Sequence, residues 1–471
     1  MRTLARRFSY PPARSLAALL LTAVFLAGCA TVSVAPTGPA ATPEPAHPEL
    51  AAAADLVRQQ ATLTGVERAD GAREIERLLS SVPDQTLTEY AAALPEGDPM
   101  YSYAGRVLLA RGLPLPRPFD LGALWAVHAG NRAPADRDGY RPPLRLGVLL
   151  PLSGNLATAA APVRDGLLAG YYGERRERPE VVFYDTATGG ANTAYDRAVS
   201  EGADYILGPL GRDEVAGLLA RPDQLRVPVL ALNRAGDGAP VGSFSFALAP
   251  EDDGTAAADY LLERNVRQVL VLNGGDDNAR RSVDAFRRQL EAGGGAVSDM
   301  LVVTGDTPPD MTDAFRNAML KEDGAQAVFI ALRGQQARAI APQLVAAGYT
   351  TRPRVGTSQL SIGGGRGEQD AALDGIVFPS ERWTSSGVAG LPMASSVASN
   401  LPTARGGAAR LFAFGYDAWL LTAFMERLVT GADAELRGAT GLLRIDGEGN
   451  IVRTPAWATF SGGHVVPLGG G

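Results

Sequence analysis

Lysine, cysteine and histidine are nearly missing from this chain of 471 residues. Lys321 is the single lysine, so positive charge is carried by arginine, a bias of base composition that says nothing about chemistry. One cysteine, Cys29, excludes an internal disulfide and any cysteine-built metal cluster. His47, His128 and His464 are scattered through two proline-rich stretches and the tail, which leaves few members for a serine–histidine pair or a histidine metal site. A basic surplus is missing as well. Lys+Arg number 44 against 51 Asp+Glu, a net charge of −7, so nucleic acid finds no electrostatic grip. Beyond Cys29 no apolar run is long enough to span a bilayer. What is present, 46% hydrophobic and 20% charged residues, is the composition of an ordinary globular protein. Its length implies about three structural units.

The N-terminus carries Arg2, Arg6, Arg7 and Arg14 without an acid, followed over 15–27 by an apolar stretch too short to cross a membrane comfortably. This is the pattern of a secretory signal. The stretch ends Leu26-Ala27-Gly28-Cys29, which resembles the bacterial lipobox, where small residues fit the signal peptidase and a thiol accepts diacylglycerol. Cys29 is then expected as the lipidated first residue of the mature chain. Removing residues 1–28 takes away four arginines and no acid, so the net charge moves from −7 to −11 and opposes binding to an anionic bilayer. Acyl chains must hold the protein there, and each buried methylene contributes about 0.8 kcal/mol. Ala30 follows the cysteine, where related lipoproteins retained at the inner membrane commonly have aspartate, and this favours the outer membrane.

The composition divides the rest. Residues 29–48, with TVSVAPTGPAATPEPAHP, read as a disordered tether. Over 49–112 apolar residues recur at helical spacing in four short segments broken at Thr64-Gly65, Pro83-Asp84 and Pro95-Glu96-Gly97, and Thr86 with Glu89 fits a capping box. Such helical hairpins are similar to tetratricopeptide-type units, without a consensus repeat. Residues 113–143 form a proline-stiffened linker with one short apolar segment at 121–127. From 144 to 471 the pattern becomes a buried strand, a loop and an amphipathic helix, repeated. Strand-like runs fall at 144–150, 181–184, 205–207, 229–232, 269–272, 300–303, 327–331, 354–357 and 376–378. Helical stretches fall at 194–201, 212–220, 256–265, 279–292, 312–321 and 335–347. Apolar runs separated by helices indicate parallel sheets covered on both faces, and so many units suggest two lobes.

The segment LGVLLPLSGNLATAAAPVRDGLLAGYY resembles the first βα unit of type I periplasmic binding proteins, and VRDGLLAGYY resembles the LpoA family of penicillin-binding protein activators. FYDT, GADYILGPLGRDEVAGL with VPVLALN, FALAPEDDG, and FAFGYDAWLL with LRGATGLLRIDGEGNIVRTPAWATF follow in family order from about residue 144 to 468. The resemblance implies a two-lobed α/β domain of the type I periplasmic-binding-protein kind with three crossing segments. Lobe one would hold about 144–248 and 384–440, and lobe two about 249–383. The short helical domain resembles the family's N-terminal domain in position and class alone. The resemblance also implies an outer-membrane lipoprotein facing the periplasm that stimulates a class A penicillin-binding protein, a bifunctional peptidoglycan synthase, without cofactor, metal or catalysis of its own.

In this fold ligands meet loops at the carboxyl ends of strands, where backbone N–H groups favour anions. The candidates are Ser153, Gly154 and Asn155 in the first loop, Gly208, Pro209 and Arg212 in the second, then Asn233 and Asn273. Amino-acid-binding relatives place hydroxyl residues in the second loop, and Leu210-Gly211-Arg212-Asp213 departs from that pattern. Arg212 remains available to an anion, partly offset by Asp213 and Glu214. Tyr416, Asp417 and Trp419 read as a helix packed on a sheet, and Arg164-Asp165 as a cap or pair on the first helix. Gly363-Gly364-Gly365-Arg366-Gly367 lacks the lysine and hydroxyl of a phosphate loop, and 391–409 reads as an exposed mobile edge fit for docking. Asp185, Asp204, Asp252, Asp253 and Asp276 read as surface acids. A solute-binding receptor for an amino acid or peptidoglycan fragment is the alternative to the activator, and a glycan-cleaving enzyme using two of those acids is a third reading.

Overall fold

A computed structural model describes residues 47–63, 65–122, 132–234, 240, 242–321, 324–361 and 367–469. Cys29, most of the tether, residues 123–131 and Gly363–Arg366 lie outside the described residues. The described residues fall in one compact unit. Four helices open it: α1 Pro48–Gln60, α2 Gly65–Ser80, α3 Asp84–Ala93 and α4 Pro99–Ala110. α1 packs on α2 and α3 on α4, and Leu50, Ile75, Leu79, Leu87, Tyr101 and Leu108 form their shared core. Asp98 caps α4, its carboxylate accepting from the Met100 N–H at 2.9 Å, while Pro99 fills the first turn, where an N–H would go unused. The expected capping box is absent. Pro83 sets an extended entry and α3 begins at Asp84, so Thr86 already lies inside the first turn and Glu89 accepts from Gln85 instead.

The proline-rich stretch is fastened at both ends. Phe119 is buried in the helical core edge-on to Tyr101, whose ring carries the Arg117 guanidinium 3.7 Å from its centroid. Farther along, Arg132 pairs with Asp204 at 2.9 Å and Arg141 with Glu426 at 2.6 Å, both on the body that follows.

That body has the two-lobed α/β form the sequence implies. In lobe one, β1 Arg145–Leu150, β2 Glu180–Asp185, β3 Tyr205–Leu207, β4 Val229–Ala231 and β5 Ser243–Ser245 make a parallel sheet ordered β2-β1-β3-β4-β5. Its connections carry α5 Ala157–Gly173, α6 Gly190–Ser200 and α7 Arg212–Leu219. Lobe two repeats the plan with α8 Pro250–Leu262, β6 Gln268–Asn273, α9 Asp277–Ala292, β7 Ala296–Val302, α10 Thr312–Leu320, β8 Ala327–Ala331, α11 Gly334–Ala346, β9 Arg354–Gly356 and β10 Val377–Ser380. These strands run parallel in the order β7-β6-β8-β9-β10. Strands covered on both faces need apolar residues in sequence, which is why β8 is a continuous hydrophobic run and β1 is buried from Leu146 to Leu150.

The chain then returns to lobe one as α12 Ala408–Thr430 and ends in β11 Leu436–Arg437, β12 Gly441–Ile445, β13 Ile451–Ser461 and β14 His464–Pro467. These last strands are antiparallel, and β13 serves both lobes. Its first half pairs with β12, as far as Pro455 opposite Gly441, and the next residue, Ala456, pairs with Ser380 of β10. Ile451 accordingly enters the core of lobe one, and Ala458 and Phe460 enter that of lobe two. Residues 391–409, expected as an exposed edge, are exposed at Met393 and many neighbours, while Leu391, Val397, Leu401 and Ala404 cover Trp383 and Phe412, and Trp383 donates to the Pro392 carbonyl at 2.8 Å.

α5 and α12 cross at backbone contact. A Cβ on Gly166 would stand 1.9 Å from the Phe412 carbonyl oxygen, and one on Gly415 would stand 1.9 Å from that of Val163. Only glycine fits at either position. Gly415→Ala should therefore lower stability by about 3 kcal/mol in chemical denaturation, as overpacked cores do. Gly217→Ala on exposed α7, where an added Cβ meets nothing within 4 Å, should change little or gain up to about 1 kcal/mol of helix propensity.

Candidate functional site

The loops at the carboxyl ends of the strands are mostly engaged with themselves. Asp185 at the end of β2 holds the loop after β1: it accepts from the Leu152 N–H at 2.8 Å and the Ser153 hydroxyl at 2.6 Å, and the Ser153 bond leads in lowering its pKa. Gly154 takes a positive φ, and Asn155 is exposed. Gly208 and Pro209 are buried and joined by a cis peptide bond. A Cβ on Gly208 would lie 2.2 Å from the Leu149 carbonyl oxygen, so this glycine serves the close approach of β3 to β1. Arg212 is exposed at the start of α7. Asn233 ties two loops together, donating to the Leu210 carbonyl at 3.1 Å and accepting from the Arg234 N–H at 3.0 Å. Asn273, in lobe two, accepts from the Gly275 N–H at 2.9 Å. The structure thus joins Ser153 to Asp185 and Asn233 to the second loop, while Asn273 closes a turn of its own lobe.

A second constellation lies where the lobes join, and residue-type reasoning missed it. The chain crosses between lobes over 246–250, over 380–383 and within β13. Asp253, in the first turn of α8, accepts from the Ser358 N–H at 3.0 Å and from the Ser358 hydroxyl, and faces Arg453 of β13 at 3.5 Å. Both charged side chains are at most 2% exposed. Arg410 of α12 donates to the same Ser358 hydroxyl and pairs with Glu381 at 3.0 Å. Arg234 pairs with Asp252 at 2.9 Å and donates to the carbonyl of Ile451, the first residue of β13, at 3.0 Å. Arg453 also donates to the Thr440 carbonyl at 3.3 Å, and Thr440 reaches Asp417 through its N–H at 2.7 Å and its hydroxyl at 2.6 Å.

Of the five aspartates read as surface acids, Asp253 is the one the structure buries, and the other four are part-exposed and partnered. Asp253 is buried in this network, Asp252 is a partner of Arg234, Asp204 holds Arg132, and Asp276 caps α9 by accepting from the Ala279 N–H at 2.9 Å. Each lies at a lobe crossing, a domain contact or a helix N-terminus, where a carboxylate finds donors. Tyr416 and Trp419 pack in the α12 helix as expected, and Arg164 pairs with Asp165, which also accepts from Thr403 at 2.7 Å. The fully buried Asp417 was concealed by its apolar neighbours. The available signal was an acid set between Phe412 and Leu421 in an otherwise apolar helix.

Burial raises the Asp417 pKa to about 6 from 3.8, against the pull of Thr440, the Ala439 N–H and Arg453. A carboxyl raised in the folded state contributes stability fully below its unfolded value, and that contribution is lost as pH rises through the folded one. The window for Asp417 is thus pH 3.8 to 6. Relative to Asp417→Asn, the parent should lose about 2 kcal/mol of unfolding free energy between pH 4 and 7. A difference that stays flat in denaturation at each pH would contradict this.

Fold and site together define a two-lobed binding-protein-like body preceded by helices. A family model described as "LppC putative lipoprotein" matches residues 140–463, and the chain belongs to that family. The similarity to LpoA proteins is borne out: the penicillin-binding protein activator LpoA of Mannheimia succiniciproducens is 27% identical over 334 residues, covering 69% of this chain and 55% of that protein. The chain spans about half the length of the curated relatives it matches. Among solved structures, the "LpoA (YraM) C-domain from Haemophilus influenzae, a regulator of PBP1A" superimposes with a TM-score of 0.60 at 22% identity, over 69% of this chain and 99% of that one. A "putative branched-chain amino acid ABC transporter" from Chromobacterium violaceum gives 0.55 at 27% identity, over 67% and 100%.

Proposed function

We propose that this chain is a non-catalytic lipoprotein of the outer membrane that binds a class A penicillin-binding protein from the periplasmic side and raises its rate of peptidoglycan synthesis. The observation that carries the reading is the family match across the whole two-lobed body, with relatives named as activators of penicillin-binding proteins. Acyl chains on Cys29 fix one end, and the packed helices and fastened proline segment project the body from the membrane. Activation needs no chemistry from this chain. A partner bound more tightly in its active conformation is shifted toward it, and about 1–3 kcal/mol of coupling gives roughly 5–150-fold stimulation.

Two measurements test the reading. Glycan polymerisation by a purified class A synthase should rise at least about fivefold at saturating protein; an unchanged rate at saturating binding defeats the proposal. Cys29→Ser should move the chain from the outer-membrane fraction to the soluble periplasm and abolish metabolic labelling with palmitate. Retention in the membrane fraction without label would refute the anchor.

The alternative, a lipid-anchored solute receptor, draws on the likeness to the Chromobacterium violaceum protein along its full length. Against it stand Leu210 and Gly211 where hydroxyl residues would grip a carboxylate. Thermal shift against amino acids and peptidoglycan fragments separates the two readings, since a ligand at a hundredfold excess over its Kd adds about 2.7 kcal/mol.

A further inference from the structure

Each of the three segments that pass between the lobes carries a charged side chain into the same buried cluster. The first passage runs into α8, whose first turn brings Asp252 and Asp253, the second brings Glu381, and β13 brings Arg453. Lobe one adds Arg234 and Arg410, and lobe two adds Ser358. Three contacts join groups of different lobes or crossings: Arg453 to Asp253, Arg234 to Asp252, and Arg410 to Ser358. Ser358 is central to them, because its hydroxyl bonds Asp253 on one side and receives Arg410 on the other.

A two-lobed receptor that closes on a solute turns about its crossing segments, so their residues must remain satisfied at both angles. Here the opposite holds. Rotation would draw Arg410 off Ser358 and Arg234 off Asp252, and would leave Asp253 or Arg453 buried without its counter-charge, the arrangement that costs most. Backbone pairing adds to the constraint. Within β13 the adjacent residues Pro455 and Ala456 stand in register with strands of different lobes, so the strand offers no unpaired residue about which to turn.

We infer that this network is a latch that holds the two lobes at one angle, so that the body acts as a rigid platform and does not open and close on a small ligand. The latch is independent of the activator reading. It stands or falls on interlobe distances, whereas failure of activation appears in synthase rates.

The experiment uses the full chain carrying Cys29→Ser, with Thr193→Cys on α6 and Arg288→Cys on α9, both exposed positions, labelled with nitroxides. Double electron–electron resonance should give one narrow distance distribution, unmoved by millimolar leucine, glutamate or a disaccharide tetrapeptide. Ser358→Ala, which removes the bridging hydroxyl without stranding a charge, should at least double its width, and Arg453→Met should widen it further. If Arg453→Met fails to fold by circular dichroism, Ser358→Ala decides alone. A broad or two-peaked parent distribution, a peak displaced by any of the three solutes, or an unchanged width in the folded variants would overturn the latch.

Discussion

One strand belonging to two sheets is the constraint on which the rest of this architecture depends. β13 gives its first half to lobe one and its second half to lobe two, and the partner changes between Pro455 and Ala456. Its turn with β12 is also held from outside. The Ser102 hydroxyl of α4 donates to the Gly447 carbonyl at 3.4 Å, and Arg106 pairs with both Glu76 of α2 and Glu448 of the turn. A Cβ on Gly447 would stand 2.6 Å from Ser102, so this contact needs glycine. The same turn meets lobe one, where the Ser245 N–H donates to the Gly449 carbonyl at 3.0 Å. Helices, lobe one and lobe two are thereby joined through one hairpin of hydrogen bonds and buried charge.

The helical unit is consequently part of the body. Arg106 carries this contact because it is largely buried between two carboxylates, which raise its pKa more than burial lowers it, while burial raises that of Glu448. A pocket of about 180 Å3 between Leu113, Phe119, Leu428 and Ile445 marks where the two cores meet without filling the space. Proline stiffening in the 113–143 stretch works toward the same end. A restricted backbone loses less entropy when it is ordered, so Tyr140 and Phe119 can be buried at either end of a chain that has little freedom to lose.

The parallel strands were legible because burial on two faces demands apolar residues in sequence. β8 occupies the expected 327–331, and β3 the expected 205–207. β7 was read four residues late, since Ala296, Ser298 and Asp299 dilute its apolar run at an edge of the sheet. β5 is Ser-Phe-Ser, too short and too polar for any periodicity to register. β11 to β14 escaped because antiparallel strands alternate, and no helix separates them to mark a unit. The loops at the strand ends could be placed from fold-level resemblance. The buried ions could not: residue type says that Asp253, Arg453 and Asp417 prefer water, and only the tertiary fold brings the partners that remove the need for it.

Those partners bear on how a body of this kind exerts its effect. The polar groups best placed for a solute, Ser153 and Asn233, already close loops, so a ligand reaching them must replace hydrogen bonds the protein makes with itself. A macromolecular partner has no such competition, because it meets outward surface. Holding the lobes together also changes the free energy of that meeting. Two lobes free to turn lose rotational freedom when one partner spans both, whereas lobes already joined at three crossings have lost it on folding, and more of the contact energy is left to discriminate between the partner's conformations. Under the proposed function, rigidity at the lobe junction and selectivity for one state of a partner are the same property.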